Sequence, residues 1–133
     1  MVGIDTNLLV SYITQDGKEA AAATAYLEKK KKKKMPGFLS HIVLCELVWV
    51  LARAYKYDKA EIAAIVENVL TVAEFEIQQP DLAWRALHQY RTESADFSDF
   101  LLAQMAREHD AIPVATLDKK ASRSDDFVLV ETA

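Results

Sequence analysis

The stretch VGIDTNLLVSYIT, Val2–Thr14, decides the fold. It opens with a short apolar run that ends in an acid, Asp5, and continues with apolar side chains at helical spacing. Thr6 or Asn7 can cap that helix, because their side-chain oxygens accept hydrogen bonds from the first helical N–H groups. The stretch therefore predicts a strand, an acid at the carboxyl end of the strand, and a helix.

The same alternation of short strands and longer helices continues along the chain. Further strands are predicted at Phe38–Ser40, Glu74–Gln78, Ile112–Asp118 and Phe127–Glu131. Helices are predicted at Lys18–Lys34, at His41–Tyr55 after a Ser40 cap, at Tyr57–Ala73 with an Asp58 cap, at Pro80–Tyr90 and at Ala95–Asp110. This order is typical of an α/β domain with a mostly parallel central sheet flanked by helices on both faces. The length predicts a single domain over residues 1–133.

The charge of the chain is unevenly distributed. The net charge is −4, but Lys29–Lys34 alone supplies six of the 16 basic residues, against 20 acidic ones. The rest of the chain has ten basic and 20 acidic residues and is therefore strongly acidic, with a formal net charge of −10. An acidic surface does not by itself indicate nucleic-acid binding. It does raise the question of whether some of the acids surround a cation.

Composition also bears on the compartment. With 51% hydrophobic and 27% charged residues the chain has the profile of a folded protein. The single Cys45 excludes an intrachain disulfide and suits a reducing compartment. The first residues, with Asp5 and no basic run, do not resemble a signal peptide, and no apolar stretch is long enough to span a bilayer. We therefore expect a cytoplasmic protein.

One carboxylate interrupts an apolar run. Between Ile42 and Ala52 every residue except Glu46 is apolar. A helix that is hydrophobic all round is expected to be buried on most sides, where an ionised glutamate is costly unless something pairs with it. Glu46 therefore either faces a water-filled edge, pairs with a cation such as Arg53, or joins other acids at a site.

Other acids fall where such a site is expected. Asp5 and Asp118 end strands, and ligands of α/β sheets bind at the carboxyl ends of strands. Asp96 and Asp99 lie three residues apart at a helix start, on one face. Two charges about 5 Å apart repel by roughly 3 kcal/mol at an effective dielectric of 20, so converging carboxylates call for a cation. Oxygen ligands of this kind suit Mg²⁺ or Mn²⁺.

Each acid also has a purely structural explanation. Asp5 could be an acid at a helix N-terminus, Asp96 could cap the helix that contains Asp99, and Asp118 could belong to a turn with Lys119. Other common catalytic and metal-binding motifs are absent from the sequence: the three histidines lack paired-ligand spacing, and three glycines form no phosphate-binding loop. The acids taken together favour a metal site.

Four segments in order resemble a known family. IDTNLLV, LCELVWVL, ADFSDFLLAQMA and TLDKKA are similar to motifs of the PIN domain, in particular of VapC-type toxin ribonucleases from bacterial toxin–antitoxin pairs. The resemblance covers nearly the whole chain. It implies an endoribonuclease that depends on Mg²⁺ or Mn²⁺, a homodimer, and a cognate antitoxin whose tail lies over the N-terminal helices and blocks the site.

The resemblance also implies roles for particular acids. Asp5, Glu46 and Asp99 match the core acidic positions, Asp118 matches a fourth, more variable acid, and Asp96 matches an additional acid. All five are expected to bind the metal, and all but Asp96 are expected to be catalytic. The hypothesis is in-line attack by a metal-bound water on an RNA phosphodiester.

Polar and basic positions complete the expected site. Asn7 and Thr116 match residues that orient carboxylates or lie beside the metal, and Lys119, Lys120 and Arg123 are candidates for contacts with RNA phosphates. The run Lys29–Lys34 departs from the family pattern. It is either a solvated helix end or a contact for the phosphate backbone.

Two rival functions remain open. The first is a binding module that acts mainly through dimerisation and antitoxin binding. Its contact would use apolar side chains such as Leu8, Leu9, Tyr12 and Trp49, for each of which burial in the core is an equal alternative. The second is a phosphotransfer enzyme with Asp5 as nucleophile, similar to haloacid dehalogenases. That chemistry would want a second acid at the position of Asn7.

Overall fold

The computed structural model describes residues 1–131. All the predicted helices and strands are present, with ends that are mostly a few residues shorter. The elements are β1 (Val2–Gly3), α1 (Thr6–Thr14), α2 (Ala20–Lys32), β2 (Gly37–Leu39), α3 (His41–Arg53), α4 (Lys59–Thr71), β3 (Phe75–Ile77), α5 (Pro80–Thr92), α6 (Phe97–Glu108), β4 (Val114–Thr116), a short 3₁₀ helix (Ala121–Arg123) and β5 (Phe127–Leu129). Contacts divide the chain into two compact units, one spanning Met1–Gln78 and the other beginning at Gln79.

The first unit is built on a parallel sheet. Its strands lie in the order β1-β2-β3, with Val2 beside Gly37 and Gly37 beside Phe75. Helices connect these strands, as parallel pairing requires. A Cβ at Gly37 would lie 2.7 Å from the side chain of Ile4, so only glycine lets the side chain pack there. The N–H of Ile4 also donates to Phe38 at 3.0 Å, which places Asp5 at the end of the pairing.

The helix caps of this unit agree with the sequence in two cases and differ in one. Ser40 accepts a hydrogen bond from the N–H of Val43, and Asp58 caps α4, both as predicted. The predicted Thr6 or Asn7 cap of α1 is wrong. The cap is Asp5, whose backbone is extended at φ −81° and ψ 155°, whereas Thr6 is already helical. The acid that ends the strand therefore also begins the helix.

The burial expected for α3 is also wrong. Leu44, Leu47 and Leu51 are fully buried, but Ile42 is 71% exposed and Trp49 60% exposed. The exposed residues Ile42 and Trp49 are seven positions apart and therefore lie on the same face of the helix. Helix α3 thus has a buried side and a solvent-facing side, like other surface helices. The sequence of α3 is misleading because apolar residues also occupy its solvent-facing side. Between Ile42 and Arg53, Glu46 is the one polar residue there.

The second unit packs two helices together and pairs two strands. In α5 and α6 the rings of Tyr90 and Phe97 meet edge to face with centroids 5.9 Å apart. Strands β4 and β5 are parallel, with Val114 beside Phe127. Val114 and Phe127 pack with Ala103 of α6 and with Ala121. The short β4 thereby fixes the turn that follows it.

These elements confirm the α/β class and the parallel pairing of its strands. Within residues 1–131, hydrogen bonding groups the strands into a three-stranded and a two-stranded sheet, both parallel. Among the helices of that range, none combines the length and the apolar character needed to cross a membrane.

Candidate functional site

In the first unit a threonine links two of the predicted acids. The N–H of Thr6 donates to Oδ1 of Asp5 at 2.8 Å, and its hydroxyl donates to Oε1 of Glu46 at 2.7 Å. Thr6 is only 6% exposed, whereas both acids are exposed. The start of α1 and the second turn of α3 therefore present Asp5 and Glu46 together, one on each side of a buried threonine.

The exposure of Glu46 answers the question that its sequence neighbourhood raises. Glu46 faces water, so its carboxylate carries no burial cost, and this exposure is compatible with its joining other acids at a site. The guanidinium of Arg53 lies over the ring of Trp49, 5.6 Å from its centroid. Glu46 instead accepts the hydroxyl of Thr6, which fixes one oxygen.

A groove begins at Asp5. It has a volume of about 410 Å³ and lies between α1 and α2. Asn7 lines it next to Asp5 and is exposed, as expected for a polar residue beside a site. The remaining lining residues are Leu8, Ser11, Glu19, Ala22, Ala23 and Tyr26.

The second unit brings three further predicted acids into electrostatic range of one another. The N–H of Asp96 donates to the carboxylate of Asp99 at 3.2 Å, and the N–H of Asp99 donates to the backbone oxygen of Asp96 at 3.0 Å. Partial burial raises the pKa of Asp99, and the charges of Asp96 and Asp118 raise it further. The N–H of Asp96 and the ammonium of Lys120 oppose this rise. The direction of the pKa shift shows that ionised Asp99 is disfavoured where it lies.

Asp118 lies in a turn held by local hydrogen bonds. Its N–H donates to the hydroxyl of Thr116 at 3.0 Å, and its Oδ1 accepts the N–H of Lys120 at 2.8 Å. Thr116 therefore positions the backbone of the aspartate. The structural explanations offered for Asp5 as an acid at a helix N-terminus and for Asp118 as part of a turn are thus both correct, and neither uses all the oxygens of the carboxylate.

The predicted RNA contacts are exposed, but one of them is engaged. Lys120 Nζ lies 3.3 Å from Oδ1 of Asp96, with both side chains more than half exposed. A pair this exposed contributes little to stability and opens readily. Lys119 and Arg123 are also exposed. All three basic side chains are accessible to a phosphate.

The donors suit a divalent cation by their chemistry. Within residues 1–131, no group of three or more His, Cys, Asp or Glu side chains is arranged to hold a metal ion. Asp5 with Glu46, and Asp99 with Asp96 and Asp118, nevertheless supply only hard oxygen donors, which Mg²⁺ and Mn²⁺ prefer. The pKa of Asp99 is raised chiefly by burial and further by the neighbouring charges of Asp96 and Asp118.

Sequence reasoning missed Thr6 as a site residue. It treated Thr6 only as a possible cap, although the residue after a strand-ending acid lies in the first turn of the helix. The partner Glu46 is 40 residues away, so no local pattern points to the bond. No local sequence pattern indicates the ion pair between Asp96 and Lys120 either.

Comparison with known proteins agrees with this architecture. A family model for the PIN domain matches residues 2–126. A VapC ribonuclease of Aquifex aeolicus (strain VF5) is 23% identical over 105 residues, which cover 79% of this chain and 78% of that protein. The residues that the family model matches include every acid of the two groups. The chain therefore belongs to the PIN domain family.

Proposed function

We propose that this protein is an endoribonuclease that hydrolyses RNA phosphodiester bonds with the help of Mg²⁺ or Mn²⁺, and that it acts as the toxin of a toxin–antitoxin pair. The family and the ribonuclease relative support the reaction class. The observation that carries the proposal is the joining of Asp5 and Glu46 through Thr6. Two exposed carboxylates held beside each other, one at a strand end and one in the second turn of α3, are what a cation-dependent hydrolase needs.

Each acid has a proposed role. Asp5 and Glu46 are the proposed cation ligands of the first unit, and Asp99, with Asp96 and Asp118, supplies the proposed metal-binding carboxylates of the second. When bound, a divalent cation supplies an activated water and neutralises the charge that builds on the phosphate. The carboxylates fix the cation, and their own repulsion is relieved in return.

Further residues hold these acids or the RNA. Thr6 fixes Glu46, Asn7 borders Asp5, and Thr116 fixes the turn of Asp118. Lys119, Lys120 and Arg123 contact phosphates of the RNA, with Lys120 leaving its exposed pair with Asp96.

The proposed setting follows the family. A cognate antitoxin covers the N-terminal helices and blocks the site, the protein forms a homodimer, and it works in the cytoplasm. A sequence with a single cysteine, Cys45, cannot form an intrachain disulfide, which fits that compartment.

A second candidate function has its own observation. Ile42 and Trp49 expose apolar surface on α3, which suits a protein that acts mainly through dimerisation and antitoxin binding. Cleavage of RNA by the isolated protein separates the two candidates, because a binding module leaves RNA intact.

The test is cleavage of RNA by the purified protein with Mg²⁺, with Mn²⁺ and with a chelator. We expect cleavage that the chelator stops and that Asp5→Asn abolishes, while circular dichroism shows an unchanged fold. Glu108→Gln is the matched control, since it removes an exposed acid at the end of α6. Cleavage that survives both the chelator and Asp5→Asn, or folded protein that cleaves no RNA with either metal, would overturn the proposal.

A further inference from the structure

The run Lys29–Lys34, called the lysine block below, carries more positive charge than is needed to stabilise the C-terminus of helix α2. Lys29–Lys32 form the last turn of α2, and all but Lys30 of the six are exposed. Cations near a helix C-terminus are favourable, but like charges three and four residues apart repel. The lysine block holds several such pairs, whereas the rest of the chain has a formal net charge of −10. A polyanion lying against the block would relieve this repulsion.

The six lysines do not face the same way. Lys31 Nζ lies 3.1 Å from Oε1 of Glu74, and this hydrogen-bonded pair raises the pKa of Lys31. Lys30 Nζ lies 5.4 Å from the centroid of the Tyr26 ring. With about 100° between successive residues, Lys29, Lys30 and Lys33 fall on the side of α2 that carries Tyr26. Lys31 and Lys32 point elsewhere.

Tyr26 joins this side to the groove that begins at Asp5. Its ring is 37% exposed and lines the groove together with Asp5 and Asn7. The carboxylates of Asp5 and Glu19 disfavour a phosphate inside the groove. The apolar lining, which includes Leu8, suits the flat face of a nucleobase instead.

We propose that this groove and the lysine face bind single-stranded RNA beside the cleavage site, an inference that rests on the proposed function for its substrate class. A base enters the groove and stacks on Tyr26, and neighbouring phosphates contact Lys29, Lys30 and Lys33. Stacking on an aromatic ring tolerates every base, and lysine contacts with phosphates release counterions. Together they hold the strand with little regard for sequence.

The test is fluorescence anisotropy of a labelled single-stranded RNA at several salt concentrations, with EDTA present so that no cleavage occurs. The triple variant Lys29→Gln, Lys30→Gln, Lys33→Gln removes three charges from the Tyr26 side. We expect the slope of log affinity against log salt to fall by about 2, since each lost phosphate contact contributes about 0.7. If the plots of log affinity against log salt for the wild type and the variant meet at 1 M salt, the affinity of the variant at 0.1 M salt is about a hundredfold lower.

The matched control removes the same charge from the other side. Lys31→Gln, Lys32→Gln, Lys34→Gln should lower the slope by less than half as much. The triple variant Lys29→Arg, Lys30→Arg, Lys33→Arg should bind RNA like the wild type. Such binding would show that the weaker binding of the glutamine variant comes from the lost charge. Tyr26→Leu should weaken binding about tenfold, and Tyr26→Phe should leave it unchanged.

Three results would overturn the inference. These are an equal loss in both triple variants, no loss in either, or a poly-glutamate peptide that binds as tightly as RNA with the same lysine dependence and no dependence on Tyr26. The last result would make the block a surface for an acidic protein. Because anisotropy needs no cleavage, a protein that shows this binding pattern but never cuts RNA refutes the proposed function and leaves the inference standing.

Discussion

The hydroxyl of Thr6 donates a hydrogen bond of 2.7 Å to the carboxylate of Glu46, and this bond ties the first turn of α1 to α3. The N–H of the same residue holds Asp5. One buried threonine thus sets the positions of two exposed acids that lie 41 residues apart in the sequence. Their separation is fixed before any ligand arrives.

Removal of this hydroxyl should damage activity more than stability. Thr6→Val keeps the shape of the buried side chain but leaves Glu46 without its donor. We expect unfolding free energy to fall by about 1 kcal/mol, the usual net value of one hydrogen bond. RNA cleavage should fall about 10- to 100-fold, as it does when a residue that orients a metal ligand is lost. Thr6→Ser should retain activity, and equal activity of Thr6→Val and wild type would contradict the role given to the bond.

Asp5 has two roles that substitution can separate. Asparagine caps helices as well as aspartate, whereas alanine does not, so Asp5→Ala should lose about 1 kcal/mol of stability and Asp5→Asn almost none. Both variants should lose cleavage, because neither retains the carboxylate. Urea unfolding and a cleavage assay measure the two effects. If Asp5→Asn cleaves RNA like the wild type, the aspartate acts only as a cap.

Asp99 should make stability depend on pH. Its pKa in the folded protein is raised, chiefly by burial, so ionisation is harder there than in the unfolded chain. The stability that protonated Asp99 contributes is present below its unfolded pKa and is lost as pH rises through its folded pKa. Without metal, Asp99→Asn should therefore gain stability relative to wild type between acid and neutral pH. Chemical denaturation across that range measures the difference, and a difference that stays constant would refute the expectation.

Divalent cations should stabilise the fold. A cation that binds only the folded protein adds about 2.7 kcal/mol at one hundred times its dissociation constant. Mn²⁺ should therefore raise the melting temperature of the wild type, and Asp5→Asn and Glu46→Gln should lose most of the rise. Glu108→Gln again serves as control. Melting that stays unchanged by millimolar Mn²⁺ argues against a bound cation.

Local patterns predicted the elements well because their signals are local. Ser40 and Asp58 cap their helices as their residue types indicate, and the strands end where acids and turn residues stand. The cap of α1 was missed by one residue, since Asp5, Thr6 and Asn7 all suit the position. Only the backbone angles decide among them.

The contacts of the site could not be predicted in the same way. The outer side of α3 exposes Ile42 and Trp49, and an apolar residue looks the same in sequence whether it faces the core or water. The bonds from Thr6 to Glu46 and from Lys120 to Asp96 join distant segments. Residue type and position in the sequence suggested the candidate acids of the site, but they gave no sign of the hydrogen bonds and ion pairs that these acids make with distant segments.

The most direct measurement is anomalous scattering from crystals soaked in Mn²⁺. We expect a manganese peak bound by Asp5 and Glu46, and no such peak in crystals of Asp5→Asn. Manganese absent from Asp5 and Glu46 in the soaked wild type, in crystals that hold the ion elsewhere, would contradict a metal-dependent nuclease built on these carboxylates.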